Sequence, residues 1–281
     1  MSSQQVSDNV IVVHIRPSRG IRGLDLGELW RYRDLLYFLV WRDIKARHAQ
    51  SVFGMGWAII QPLLFMIVFS VVFGKLAKIS SDGVPYAIFS YTALVPWTFF
   101  SGALTGATSS LVRGSNMLTK VYFPRLIMPI SAVEAKLVDF GIALMLVFGL
   151  MAWFGIAPTI WALALPLLVL LMVISAAGRG MLFAALAVQY RDVNYSMQFL
   201  VQLLLYAAPV VYPTSVIPDQ YRLLYALNPM VGVIEGFRSA LLGTIPMPWD
   251  LIGVGSVVAL VIFASGVLYF RRMEHIFADV V

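Results

Sequence analysis

The chain has 281 residues, 60% of them hydrophobic and 12% charged, where a soluble domain carries about 25% charged positions. That balance excludes an ordinary water-soluble domain and makes lipid the expected solvent. Cysteine is absent, which removes disulfides, thiolate metal sites and cysteine nucleophiles. The net charge of +6 gathers beside apolar segments, where membrane orientation explains it better than nucleic acid does.

Residues 1–25 read as a polar extension. Met1 to Val13 lacks the cationic start, apolar stretch and small-residue cleavage site of a signal peptide, so the N-terminus is expected to stay attached and cytoplasmic. Residues 26–50 follow as an amphipathic interface helix, its proline-free part running from Leu26 to Ala46. At about 100° per residue, Leu29, Tyr32, Leu36, Leu39, Val40 and Ile44 share one face, with Arg31, Asp34, Arg42 and Lys45 opposite. Trp30 and Trp41 suit headgroup depth, and a cytosolic helix packed on a partner is a compatible second reading.

From residue 51 to 281 the chain reads as an all-α, polytopic membrane domain. Its apolar runs are Trp57 to Phe73, Ala87 to Leu111, Leu137 to Phe154, Ile160 to Val188, Phe199 to Val216 and Leu251 to Phe270. Each approaches the roughly 20 residues that cross a hydrocarbon core, and none alternates as a barrel strand would. Six transmembrane helices with both termini cytoplasmic put Arg113, Lys120, Arg125, Lys136, Arg191, Arg271 and Arg272 on the side of the basic N-terminal stretch. Lys75, Lys78, Arg222 and Arg238 then fall outside.

Two connections stand out. Residues 112–130 form a cytoplasmic loop in which Pro124 and Pro129 bound a short polar and aromatic segment suited to docking a partner. Residues 217–245 belong to a proline-rich stretch whose apolar piece, Leu223 to Leu242, breaks at Asn228 and Pro229. It reads as a re-entrant hairpin dipping into the outer leaflet.

Catalytic groups are sparse. His14, His48 and His275 lie far apart, so no shared metal site is expected. Lys136 and Asp139 sit three residues apart and can pair on one helical face. Arg179, between Gly178 and Gly180, lies about 15 Å from the inner boundary at 1.5 Å per residue. It either meets an anionic part of a substrate or pairs inside the bundle, for instance with Asp139. No G-x-x-x-x-G-K-[ST] phosphate loop occurs, so ATP chemistry of that kind needs another subunit.

Several strings, taken together and in order, resemble the permease subunits of ABC exporters for O-antigen, teichoic acid and related cell-surface polysaccharides. They are LWRYRDLLYFLVWRDIKAR from Leu29, SVFGMGWAIIQP from Ser51, VPYAIFSYTALVPWTFF from Val84, LTKVYFPRLIMP from Leu118, QYRDV from Gln189, LNPMVGVIEGFRSALLG from Leu227 and FRRMEHIFADVV from Phe270. The resemblance implies a homodimer of permeases in the inner or plasma membrane, in contact with membrane lipid. Two copies of a separate ATPase would bind ATP and Mg, and a lipid-linked polysaccharide would pass between the permeases. It implies no catalytic residue, cofactor or metal in this chain and no nucleic-acid partner. The coupling helix maps onto Ser115, Asn116, Met117, Leu118, Thr119, Lys120 and Val121, followed by Arg125. The interface helix brings Trp30, Arg31, Arg42 and Lys45. Outer gate helices match Asn228, Pro229, Glu235 and Arg238, and the last two can pair at their spacing of three.

A pore for a long neutral polymer must hold each sugar weakly and repeatedly, which aromatic faces do well. Tyr86, Tyr91, Trp97, Phe99 and Phe100 are the expected channel lining; their alternative is an interfacial belt or lipid-facing packing. The competing functions are a membrane glycosyltransferase, which would show an acidic or histidine cluster at the membrane face, and a drug, lipid, teichoic acid or galactan exporter of the same superfamily.

Overall fold

The computed structural model describes residues 26–48, 53–118, 120, 122–274 and 277, and every regular element among them is helical. The chain opens with α1 (Leu26–Arg31) and α2 (Arg33–His48). The expected single helix over 26–46 is therefore broken at Tyr32. The Tyr32 N–H donates to Leu29 O, three residues back, at 3.2 Å, and the ladder tightens there before α2 resumes it. The expected apolar face is otherwise kept: Leu39 is fully buried, Leu29, Tyr32 and Leu36 pack on the core, and Trp30, Tyr37, Phe38 and Trp41 stay exposed.

Next comes α3 (Trp57–Phe69), which continues through a wider π-helical stretch, Ser70–Leu76. Ser70 Oγ donates to Met66 O at 2.7 Å where the winding changes, a known way for a hydroxyl to loosen a helix. After it lie α4 (Tyr86–Thr108), two short turns of helix, α5 (Ser110–Arg113) and α6 (Ser115–Leu118), and the long α7 (Ile127–Phe154). Helix α7 starts well before the expected Leu137, because Pro129 sits in its first turn, where a missing N–H costs no helical bond. It stops at Gly155, whose φ of 69° is the left-handed geometry that glycine adopts freely.

A 3₁₀ turn, Ile160–Ala164, leads into α8 (Leu165–Gln189), then α9 (Asp192–Tyr206), α10 (Asp219–Tyr225), α11 (Pro229–Leu242) and α12 (Trp249–Met273). Five segments are long and apolar enough to cross a bilayer: Trp57–Leu76, Tyr86–Thr108, Ile127–Phe154, Ile160–Gln189 and Trp249–Met273. The run expected over 199–216 differs. Its helix begins at Asp192 and ends at Tyr206, so 15 residues reach only about 22 Å. Pro209 and Pro213 keep the following turn from continuing the helix.

Helix α4 is the hub. In its central stretch 78% of the residues are buried, against 11% for Trp57–Leu76, and its mean hydropathy of 1.3 is the lowest of the five. A helix wrapped by protein has no need to match lipid, so it can carry hydroxyls that an exposed span avoids. Around it stand α3, α7, α8 and α11, and α12 packs on the far side of α8. The α8–α12 crossing is close because glycines face it. A Cβ on Gly178 would lie 2.6 Å from Phe263 Cα, and one on Gly266 would lie 2.2 Å from Gly178 O. One residue pair further, Gly180 lets Ala107 of α4 approach. The Gly178-Arg179-Gly180 triplet thus serves two helix contacts at once.

Candidate functional site

The bundle has two polar ends. One, the basic end, gathers α2, α5, α6, the start of α7 and the end of α12; the other gathers the start of α4 with α10 and α11.

At the second end, Asn228 caps α11 by accepting from the Met230 N–H at 3.2 Å, with Pro229 at the first helical position. That start sets Glu235 and Arg238 on one face, where Arg238 Nη1 donates to Glu235 Oε1 at 2.9 Å. The pair is 1% and 0% exposed, and all of α11 is buried. Arg238 also donates from Nη2 to Val210 O at 3.0 Å, and more weakly to Phe89 O and Tyr212 O at 3.4 Å each. Its guanidinium lies 3.6 Å over the Phe89 ring. Glu235 in turn accepts the Thr214 N–H at 3.3 Å.

The reason lies in the break after α9. Backbone that leaves a helix at membrane depth must find other partners for its polar groups. Side chains of α4, α11 and the α10–α11 turn provide them: besides Arg238, Tyr86 OH donates to Val211 O at 2.6 Å and Asn228 Nδ2 to Ala207 O at 3.2 Å. Tyr212 and Tyr225 share a 3.0 Å hydroxyl contact. Sequence spacing anticipates the Glu235–Arg238 pair. It does not anticipate the carbonyls of Val210 and Tyr212, which only the return of the chain brings to Arg238.

At the basic end, the expected coupling stretch is two short pieces. Ser115, Asn116, Met117 and Leu118 form α6, Leu118 is buried, and Asn116, Lys120 and Tyr122 are exposed. Thr119 and Val121 lie outside the described residues. Arg125 ties this loop to the end of α12: its backbone N–H donates to Glu274 Oε1 at 3.2 Å and its side chain to Glu274 O. Phe277 lies 6.0 Å beneath the Arg125 guanidinium and 5.1 Å from Phe270. Glu274 is a residue that the sequence reading missed; a lone glutamate after two arginines carries no signal of what it meets. On α1 and α2, Trp30, Arg31 and Lys45 are exposed, and Arg42 pairs with Asp43 at 2.9 Å.

Within the spans, the α4 aromatics occupy the protomer's centre. Tyr91, Phe99 and Phe100 are buried, Trp97 is 5% exposed and Tyr86 half-buried. Trp97 meets Phe100 at 5.7 Å, and Phe99, Phe140 and Phe237 form an edge-to-face series joining α4, α7 and α11. These rings act as core, and lining a channel would require α4 to turn out of its packing.

Arg179 does not pair with Asp139, which bonds Lys136 at 3.1 Å. Its guanidinium sits 5.6 Å over Phe100, Nη1 reaches Ser175 O at 3.4 Å, and no carboxylate among the described residues lies within ion-pair reach.

A feature absent from the sequence expectations is the outer face of α9. Tyr195, Gln198, Phe199, Gln202 and Tyr206 recur at spacings of three and four, so they share one face. That face is open: Tyr195 is 81% exposed, Phe199 64% and Tyr206 60%, with Gln198 and Gln202 exposed beside them. Two amides at helical spacing inside an apolar run are the signal that marks it.

The sequence profile of the ABC-2 type transporter family matches residues 34–242. The chain belongs to that family. This ABC-2 protein is 31% identical to the O-antigen export system permease protein RfbA of Myxococcus xanthus, over 88% of the chain and 96% of that relative. It is 24% identical to RfbA of Klebsiella pneumoniae, over 88% and 95%. It is 23% identical to the polysialic acid transport protein KpsM of Escherichia coli, over 83% and 91%. An ABC-2 membrane domain is a transporter permease and not an enzyme, and its apolar helices make it an integral membrane protein.

Proposed function

We propose that this permease forms, as a homodimer, the conduit of an exporter that carries a lipid-linked polysaccharide of the O-antigen kind outward across the inner or plasma membrane. Two copies of a separate ATPase supply the ATP and Mg chemistry. The observation that carries this reading is the open α9 face. Amides turned toward lipid would lose their hydrogen bonds, so a face of aromatic rings and amides belongs against a water-filled path or a second copy. Two such faces opposed would offer each sugar ring a stacking surface and a weak hydrogen bond, repeated along the helix, which lets a polymer slide.

The basic end faces the cytoplasm in this reading, by the excess of Lys and Arg there. Residues Ser115 to Val121 with Arg125 dock the ATPase, and the exposed Trp30 and Trp41 hold α1 and α2 at the membrane surface beside it. The sixth crossing is shared between the short α9 and the α10–α11 pair. Glu235, Arg238, Asn228 and Pro229 fix that pair as an outer gate that moves as one body. Arg179, with no carboxylate partner among the described residues, is available to an acidic group of the cargo.

Deleting the chain should trap finished glycan inside the cell. In the assembled exporter, Phe199→Ala with Gln202→Leu should cut export severalfold while assembly and ATP hydrolysis persist. Export at the original rate would remove α9 from the path, and surface glycan unaffected by deletion would overturn the function itself.

A further inference from the structure

A cavity of about 260 Å³ lies between α3, α4 and α7, with no residue of α9 in its wall. Trp57, Phe99 and Phe140 give it aromatic walls, and Gln61, Thr98 and the Lys136–Asp139 pair place polar groups among them. It begins at the first turn of α3 and reaches about the middle of α4, so it occupies the half of the span nearer the basic end. Its volume is that of about nine water molecules at roughly 30 Å³ each, enough for a single sugar ring.

Two polar side chains of the cavity wall make no hydrogen bond among the described residues. On α4 and the turn after it, Ser90, Ser101, Thr105, Thr108, Ser109 and Ser110 all return their hydroxyls to a helix carbonyl three or four residues back. Thr92, outside the cavity, and Thr98, in its wall, make no such bond. Across the cavity Gln61, an exposed residue, has no hydrogen-bond partner for its amide among the described residues. The Thr98 hydroxyl and the Gln61 amide both line the cavity. An amide and a hydroxyl left unsatisfied at membrane depth are costly unless something polar arrives to meet them.

We propose that this cavity is a sugar-recognition pocket that holds one neutral saccharide ring of the cargo before or during its passage. The cargo identity rests on the polysaccharide-export reading above. A carboxylate and an amide oxygen accept from ring hydroxyls, an ammonium and an amide N–H donate to them, and the half-exposed Trp57 ring stacks on the sugar's apolar face. An isolated phosphate is a poorer occupant, because Asp139 lies 3.1 Å from the Lys136 ammonium and offsets its charge. An acyl chain would leave the Gln61 amide and the Thr98 hydroxyl unmet.

The absence of cysteine from the chain provides the test. Ala58→Cys puts a single thiol in the cavity wall, and Thr98→Cys does so from α4 should the first variant fail to assemble. Membranes with the assembled exporter are taken from cells that make the glycan and from cells whose glycan synthesis is switched off, and N-ethylmaleimide labelling rates are compared. Labelling should be severalfold slower where glycan is made, falling to about a tenth if glycan exceeds its dissociation constant about tenfold. Gln61→Leu in the same background should abolish that protection.

Met145→Cys, on the exposed side of α7, should label equally in both membranes. Equal rates at Ala58→Cys and Thr98→Cys would overturn the proposal, and a resident phospholipid headgroup or an empty cavity gives that result. Export that still depends on the chain would then leave the export reading standing while the pocket falls.

Discussion

At one end of the bundle Arg238 is wholly enclosed and reaches Glu235, Val210, Tyr212 and Phe89; at the other, Arg125 holds Glu274 beside Tyr122, whose ring is 72% exposed. Both arginines join segments far apart in the chain, but the first does so where no water can substitute for a lost bond. Breaking it strands a carboxylate and several carbonyls, while breaking the second lets solvent replace what is lost. The first end is therefore built to keep its shape, and the second to be remade against a partner.

The sharpest way to break this contrast is Arg238→Ala. Removing one member of a buried pair costs about 3–5 kcal/mol, so thermal unfolding in detergent should show a large loss of stability and the yield of folded chain should drop. Arg238→Lys should not restore it, since an ammonium cannot fan out to carbonyls as a guanidinium does. A chain of unchanged stability would show that the turn after α9 has other support.

Gly178→Val tests the region between the ends. Its new Cβ would meet Phe263 backbone at 2.6 Å, which no rotamer relieves, and overpacking of this kind costs about 1–3 kcal/mol. Gly141→Ala, with open space around it, is the matched control and should be neutral or slightly stabilising. Equal melting of the two variants would remove the glycine crossing from the account.

The smallest stability effect belongs to Arg125→Ala, about 1 kcal/mol for a solvent-accessible charged contact. Its effect should appear instead in the ratio of glycan exported to ATP hydrolysed, measured on the assembled exporter. A large loss of stability with an unchanged ratio would reverse the roles assigned to the two ends.

Much of this was readable beforehand. The apolar runs place five crossing helices to within a few residues except at the start of α7, where Pro129 belongs to the first turn, and the spacing of Glu235 and Arg238 foretells their bond. The end of α9 at Tyr206 falls short of the expected apolar run, because such a run tolerates prolines in composition but not in helix. The burial of the α4 aromatics within the protomer is not legible beforehand, because hydropathy alone does not say whether a ring faces lipid, a channel or its own core.

Sequence by itself determined that the chain is helical and membrane-embedded and which family it joins, because the lack of water in a bilayer leaves few local solutions for the backbone. Only the tertiary structure decided that α4 is enclosed, that α9 keeps an aromatic and amide face open, that Arg179 meets no carboxylate among the described residues and that Arg238 satisfies a turn more than twenty residues before it. Those outcomes depend on which segments pack side by side, and side-chain partners far apart along the chain leave no periodic trace in it.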